Sequence, residues 1–316
     1  MKAIRLHARG GPEQLVFEDA PKPVAGECDA LVRVYASGIT PTELTWSETY
    51  QTCEGAERIP TIPGHELSGV VEMLGPRASE PAIGEAVYAL TSFCRDGTAA
   101  EYVVVKAEDL APKPRTLDHS AAAAVPLSAL TAWQALADHA GLKSGQRVLI
   151  HGAAGGVGTF AVQIAHLFGA HVIGTASTRN VDFVLGLGAD GVVDYTKARF
   201  EGVVRDVDVV LDTIGGDTLE RSWRALRKGG VLVSIVENVA HERAAARGVH
   251  GVFFIVKPNR SQLVEIARLI DTGKLRPVIG KVVPLEQARD AFERGLTGHN
   301  RGKIVLRVAE QAAAKA

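Results

Sequence analysis

An excess of either charge sign is missing from this sequence: 35 Lys and Arg stand against 36 Asp and Glu. A formal net charge of -1 gives no electrostatic case for binding nucleic acid or an anionic membrane. No stretch approaches the roughly 20 apolar residues that cross a bilayer, so no membrane span is expected. The opening MKAIRLHARGG alternates like a strand and has no apolar signal-peptide core, which makes the cytoplasm the expected location. Cysteine is scarce as well. Cys28, Cys53 and Cys94 are too few and too scattered for a disulfide framework, and no CxxC spacing offers a structural zinc site. Reduced thiols are the expectation.

What is present is the balance of a globular protein. With 316 residues, 46% of them hydrophobic and 22% charged, the chain can build two ordinary domains, each with its own core. Short alternating segments at 3–7, 15–18, 30–35, 67–74 and 102–106 read as strands separated by Gly- and Pro-containing turns. Around His119 the composition becomes helical, with Pro126 as a break or kink. From Gln146 onward, strands of four to seven apolar residues alternate with helices: RVLIHG, AHVIG, GVVD, VDVVLD, GVLVSIV and GVFFIV. A helix is expected over 217–226. This rhythm predicts βαβ units and a parallel sheet, doubly wound by right-handed crossovers. Two helices, over 261–272 and 285–294, and a final strand KIVLRV then return the chain to its first, β-rich domain. The expected boundaries are 1–121, 122–257 and 258–316, and the fold class is α/β.

The strongest chemical signal is the Gly-rich turn of RVLIHGAAGGVGTFAVQIAHLFGA. A strand ends, and a helix begins with free backbone N–H groups and a positive dipole end, where a pyrophosphate binds. The pattern A-x-G-x-x-G puts Ala153 at the first glycine place. Gly155 allows close backbone approach, Gly158 allows close helix–strand packing, and the amides of Gly156 and Val157 face the diphosphate. The carboxylate that selects NAD at the end of the second strand is lacking; Ala176 occupies its place. Ser177 and Arg179 can instead bond a 2′-phosphate. NADPH is the expected cofactor.

At these residues, and through MKAIRLHARGGPEQLVFED, YASGITPTEL, IPTIPGHELSGVVEMLG, LSALTAWQAL, LGADGVVDY, VLDTIGG and NRGKIVL, the chain resembles the medium-chain dehydrogenase/reductase superfamily. The branch it resembles is that of the zinc-independent quinone oxidoreductases and enone reductases. The resemblance implies a GroES-like catalytic domain beside a Rossmann domain, and a homodimer or homotetramer paired through a sheet edge such as GVFFIV. Zinc-dependent members place catalytic ligands where this chain has Thr40, His65 and Leu127. One imidazole cannot make a site that needs three protein ligands, so no metal is expected. Without a Lewis acid, a quinone or an α,β-unsaturated carbonyl is the natural hydride acceptor, because charge delocalises onto a conjugated oxygen.

The resemblance also implies roles for single residues. Thr40 stands where the branch often has Asn, bonding the substrate oxygen; a local turn-capping role is the alternative. Thr131 is expected beside the nicotinamide and Tyr195 at the adenosine phosphate. Ile214, Ile235, Phe253, Phe254 and Ile255 are expected to line the nicotinamide end. Arg301, Gly302 and Lys303 are expected to reach the cofactor from the β domain, with a solvated basic turn as the alternative. Tyr50, in the substrate-covering segment 42–60, is a conceivable proton donor, and water an equal one. Two further readings stay open: a metal-free carbonyl or alcohol dehydrogenase, and a non-catalytic NADPH-binding regulatory protein.

Overall fold

The computed structural model describes residues 1–298 and 300–310. They divide into two compact units: Met1–Leu127 with Lys257–Gly273 and the described residues from Pro277 onward, and Ser128–Val256 with Lys274–Arg276. Among the described residues no helix is long and apolar enough to cross a membrane.

The first unit is built on a predominantly antiparallel sheet. Strands Ile279–Pro284, Lys303–Arg307, Asp29–Gly38, Glu66–Leu74, Ala86–Leu90 and Ala111–Pro112 lie side by side in that order, and Tyr102–Lys106 also pairs with Asp29–Gly38. Alternation decides which face is buried: Ala30, Val32 and Val34 enter a core with Leu67, Val71, Val87, Val103 and Val105, while Arg33 between them is exposed. A separate hairpin pairs Lys2–Leu6 with Leu15–Asp19. Pro126 does interrupt the helical stretch: one helix covers His119–Ala123 and the next starts at Pro126 itself.

The second unit is the doubly wound sheet. Six parallel strands lie in the order Gly191–Asp194, His171–Ala176, Arg147–Ile150, Val207–Asp212, Leu226–Ser234, His250–Phe253. Numbered along the chain this is 3-2-1-4-5-6, with the order reversing between Arg147–Ile150 and Val207–Asp212, the place where such sheets bind ligands. The central strands read as near-continuous apolar runs because both faces are covered; Val148, Leu149 and Ile150 are fully buried.

Several expectations are corrected. Leu226 does not end a helix: the helix is Gly216–Ser222 and Leu226 opens the next strand. The GVFFIV strand closes at Phe253, leaving Phe254 and Ile255 beyond it. The strand Ile279–Pro284 carries no alternation to mark it in the sequence, because three consecutive residues, Gly280, Lys281 and Val282, are all exposed. The reduced-thiol expectation also fails for two residues: Cys53 and Cys94 form a disulfide, with Cα atoms 5.1 Å apart, and only Cys28 is free and exposed.

Candidate active site

The Gly-rich turn leaves strand Arg147–Ile150 and opens helix Gly156–Leu167, with Gly155 at its N-cap. Gly152 adopts φ +64°, which favours glycine. A Cβ on Gly158 would stand 2.1 Å from the Gly152 carbonyl oxygen, so only glycine lets the helix start this close to the strand. A Cβ on Gly155 would meet only that same oxygen, at 3.3 Å, leaving the space over the turn open. The first amides of this helix have no intrahelical acceptor, and Gly155, Gly156 and Val157 are all half-buried. This cradle fits a diphosphate.

The other residues expected at the nucleotide lie at the carboxyl ends of the same strands. Ser177 and Arg179 follow His171–Ala176; Tyr195, 59% exposed, follows Gly191–Asp194. Ile214 follows Val207–Asp212 and is 54% exposed, and half-buried Ile235 follows Leu226–Ser234. Ile255 is exposed and Phe253 half-buried. Phe254 departs from the expected lining role: it is buried and packs its ring on His139, centroids 4.2 Å apart. Thr131 is buried in helix Pro126–Trp133.

Two residues that sequence reasoning passed over shape this edge. Asp212, fully buried, accepts from the amides of Ile214 (3.1 Å) and Gly215 (3.0 Å) and from Ser234 Oγ (3.0 Å). It therefore holds the turn after its strand, and burial pushes its carboxyl above the usual range despite those bonds. His151 joins Thr175 Oγ1 (3.2 Å) to Ser222 Oγ (2.9 Å), and its carbonyl accepts from Thr213 Oγ1 at 2.9 Å. Burial, reinforced by Arg221, brings its imidazole down to about 3, so it is a neutral bridge under the turn. An Asp directly before Thr-Ile-Gly-Gly was a readable turn signal.

In the first unit two of the expected site residues, Tyr50 and Lys303, are differently employed. Tyr50 is buried and donates to the Leu44 carbonyl at 2.9 Å, and burial raises its phenol, so it is not a poised proton donor. Lys303 does not reach outward from a basic turn: its buried ammonium pairs with Glu66, donates to the Ile39 carbonyl at 2.8 Å and lies 3.3 Å from Thr40 Oγ1. Thr40 makes no side-chain cap on the turn at Pro41–Thr45, so the turn-capping alternative is set aside. Gly302 adopts φ +62°, and a Cβ there would lie 2.0 Å from the Val278 carbonyl; Arg301 is exposed.

These places do not fit zinc. Thr40 is bonded to an ammonium, Leu127 offers no donor side chain, and its amide is spent on Glu66 Oε2 at 2.9 Å. His65 stands between Trp46 and Phe93 (centroids 5.9 and 4.7 Å), its Nε2 3.3 Å from Glu43 Oε2 without hydrogen-bond alignment. Among the described residues no group of three His, Cys, Asp or Glu side chains could hold a metal ion.

Although close, Glu43 and His65 are not an ion pair. Burial pushes Glu43 up to about 8, against the Gly64 amide and Lys303, which favour its charge, while burial and then Arg58 bring His65 down to about 3. Folded, the pair holds one proton between those values. Unfolded, with ordinary values near 4.5 and 6.5, it holds two protons below that window, one inside it and none above. Stability from the pair is therefore flat between 4.5 and 6.5, then falls as pH rises toward 8 by about 2 kcal/mol. Urea titrations at pH 6.5 and 8 should show that loss in the wild type and not in Glu43→Gln; an equal loss in both would refute the assignment.

Two family models match the chain. The alcohol dehydrogenase GroES-like domain covers residues 26–115, and the zinc-binding dehydrogenase model covers residues 187–306. A "Probable zinc-binding oxidoreductase, mitochondrial" from Arthroderma benhamiae is 37% identical over 91% of both chains. An "NADPH-dependent alkenal/one oxidoreductase, chloroplastic" from Arabidopsis thaliana is 32% identical over 97% of this chain and 79% of its own. The quinone oxidoreductase of Coxiella burnetii superposes with a TM-score of 0.91 at 32% identity, over 98% and 99% of the two chains. The organellar names of the first two relatives overturn the expectation of a cytoplasmic location. By sequence over nine-tenths of its length and by the architecture of both units, the chain belongs to the medium-chain dehydrogenase/reductase superfamily.

Proposed function

We propose that the protein is an NADPH-dependent oxidoreductase that reduces a quinone or an α,β-unsaturated carbonyl without zinc. The observation that carries this reading is the glycine cradle at the reversal point of a 3-2-1-4-5-6 parallel sheet. The named activities of the Arabidopsis and Coxiella relatives support it. When bound, NADPH supplies a hydride. In this reading the amides of Gly156 and Val157 hold the diphosphate, Ser177 and Arg179 hold the 2′-phosphate, and Tyr195 flanks it. Thr131, Ile214, Ile235, Phe253 and Ile255 position the nicotinamide end. Thr40 donates to the substrate oxygen, its own oxygen fixed by Lys303. With Tyr50 committed to a carbonyl, the proton that completes reduction comes from solvent. We place the expected homodimer or homotetramer on the edge strand His250–Phe253.

The test is NADPH and NADH oxidation with 1,2-naphthoquinone, an enone and a simple ketone, alongside metal analysis of the same sample. Quinone or enone turnover without stoichiometric zinc is expected. Turnover of the ketone alone, or a zinc requirement, would overturn the reading. Arg179→Ala should raise KM for NADPH about tenfold, the worth of one charge-assisted bond, and leave KM for NADH unchanged.

A further inference from the structure

The carboxylate missing at Ala176 has a counterpart one strand away. Gly191–Asp194 runs parallel to His171–Ala176, and Asp194 is the register partner of Ala176. Neighbouring strands lie about 4.8 Å apart, so an acidic group stands beside the place where NAD-binding sheets take the ribose hydroxyls.

That carboxylate is fully engaged. Its Oδ2 accepts from Thr178 Oγ1 at 2.5 Å and lies 3.3 Å from Lys197 Nζ. Its Oδ1 accepts from Thr196 Oγ1 at 2.6 Å and from the Thr196 amide at 3.0 Å. The two hydroxyls also touch, 3.1 Å apart. A carboxylate has about four lone-pair sites, and these four donors occupy them. The side chain is only 14% exposed.

We propose that Asp194, saturated by Thr178, Thr196 and Lys197, is the residue that sets the choice between nucleotides with and without a 2′-phosphate. This rests on the dinucleotide reading above. A ribose diol needs an acceptor, and here it must displace Thr178 from Asp194 to find one. A 2′-phosphate carries its own acceptors and needs donors, which Ser177, Arg179 and Lys197 supply. The hydroxyls and the ammonium also blunt the repulsion that a bare carboxylate would exert on the phosphate. The specificity of the strand end is thus held by hydrogen bonds to a carboxylate rather than by its absence.

The test uses 2′,5′-ADP and 5′-AMP, which differ only in the 2′-phosphate, titrated calorimetrically into the whole protein. Thr178→Val vacates a lone pair on Asp194 and should cut the preference for 2′,5′-ADP about tenfold, the worth of one bond to a charged group. Asp194→Asn removes the charge and should move the preference the opposite way. The KM values for NADPH and NADH should follow both shifts. If both variants weaken the two ligands equally, Asp194 only braces the turn and the proposal fails. A wild type that binds neither ligand brings down the dinucleotide reading and this inference with it; a wild type that binds both tightly while the variants leave the ratio unchanged brings down this inference alone.

Discussion

Lys303→Met is expected to cost the protein about 4 kcal/mol of stability, because removing one partner strands a buried charge. Glu66 is 1% exposed and Lys303 6%, so neither group has water to fall back on. The Glu66 carboxylate is held by the Lys303 ammonium on one oxygen and the Leu127 amide on the other. Gly38 makes room for it: a Cβ there would come within 2.5 Å of Glu66 Oε1. With methionine at 303 the stem volume is kept and the charge removed, leaving an anion whose desolvation is uncompensated. The Ile39 carbonyl and Thr40 hydroxyl lose their donor too. Adding Glu66→Gln should recover a large part of the loss, since the second change removes the orphaned charge. The measurement is a double-mutant cycle on urea midpoints. A Lys303→Met variant within 1 kcal/mol of wild type would mean that the pair behaves as a surface one. The effect on function runs through Thr40, whose oxygen Lys303 holds, so quinone KM should rise in the rescued double variant while the protein stays folded.

The βα alternation was legible because parallel strands buried on both faces must be apolar throughout, and VLI, VVL and VLV stand out against their helical surroundings. Gly158 was legible because helix–strand packing leaves no room for a Cβ there, and Gly155 because a Cβ would fill the open space over the turn that a diphosphate takes. What escaped was set by side chains meeting across long sequence distances. Lys303 and Glu66 are far apart in the chain, and a lysine next to Gly302 reads as a solvated or cofactor-facing turn until the strand after it is seen to be buried. Asp194 ends a four-residue strand whose neighbour is known only once the parallel register is known. The polar cluster at Glu43 and His65 breaks the usual rule that titratable groups stay wet. Such departures from local consistency mark places where function or strain has overridden packing.

The pairing of Cys53 with Cys94 was unreadable for the same reason: 41 residues separate the two, and spacing alone says nothing about approach. It also supports a redox prediction. Reduction by dithiothreitol should cost about 3 kcal/mol, mainly by freeing the unfolded chain, with the chain-entropy relation setting the upper bound near 4 kcal/mol for a loop of this size. The discount from that bound reflects residual structure in the reduced, unfolded chain. Residues 46–58 are tied to the same neighbouring segment without the bridge: Arg58 pairs with Asp96 at 2.8 Å and Trp46 packs edge-on against Phe93. Those contacts keep the folded state in place when the bridge is cut, so the loss falls on the free energy of unfolding rather than on the fold. Thiol titration of the denatured protein should count one group, Cys28, before reduction and three after. Cys53→Ser should match the reduced wild type in urea midpoint and be indifferent to dithiothreitol. Three titratable thiols in protein purified without reductant, or one midpoint for both forms, would show that the bridge contributes nothing and return the chain to the reduced state its composition suggested.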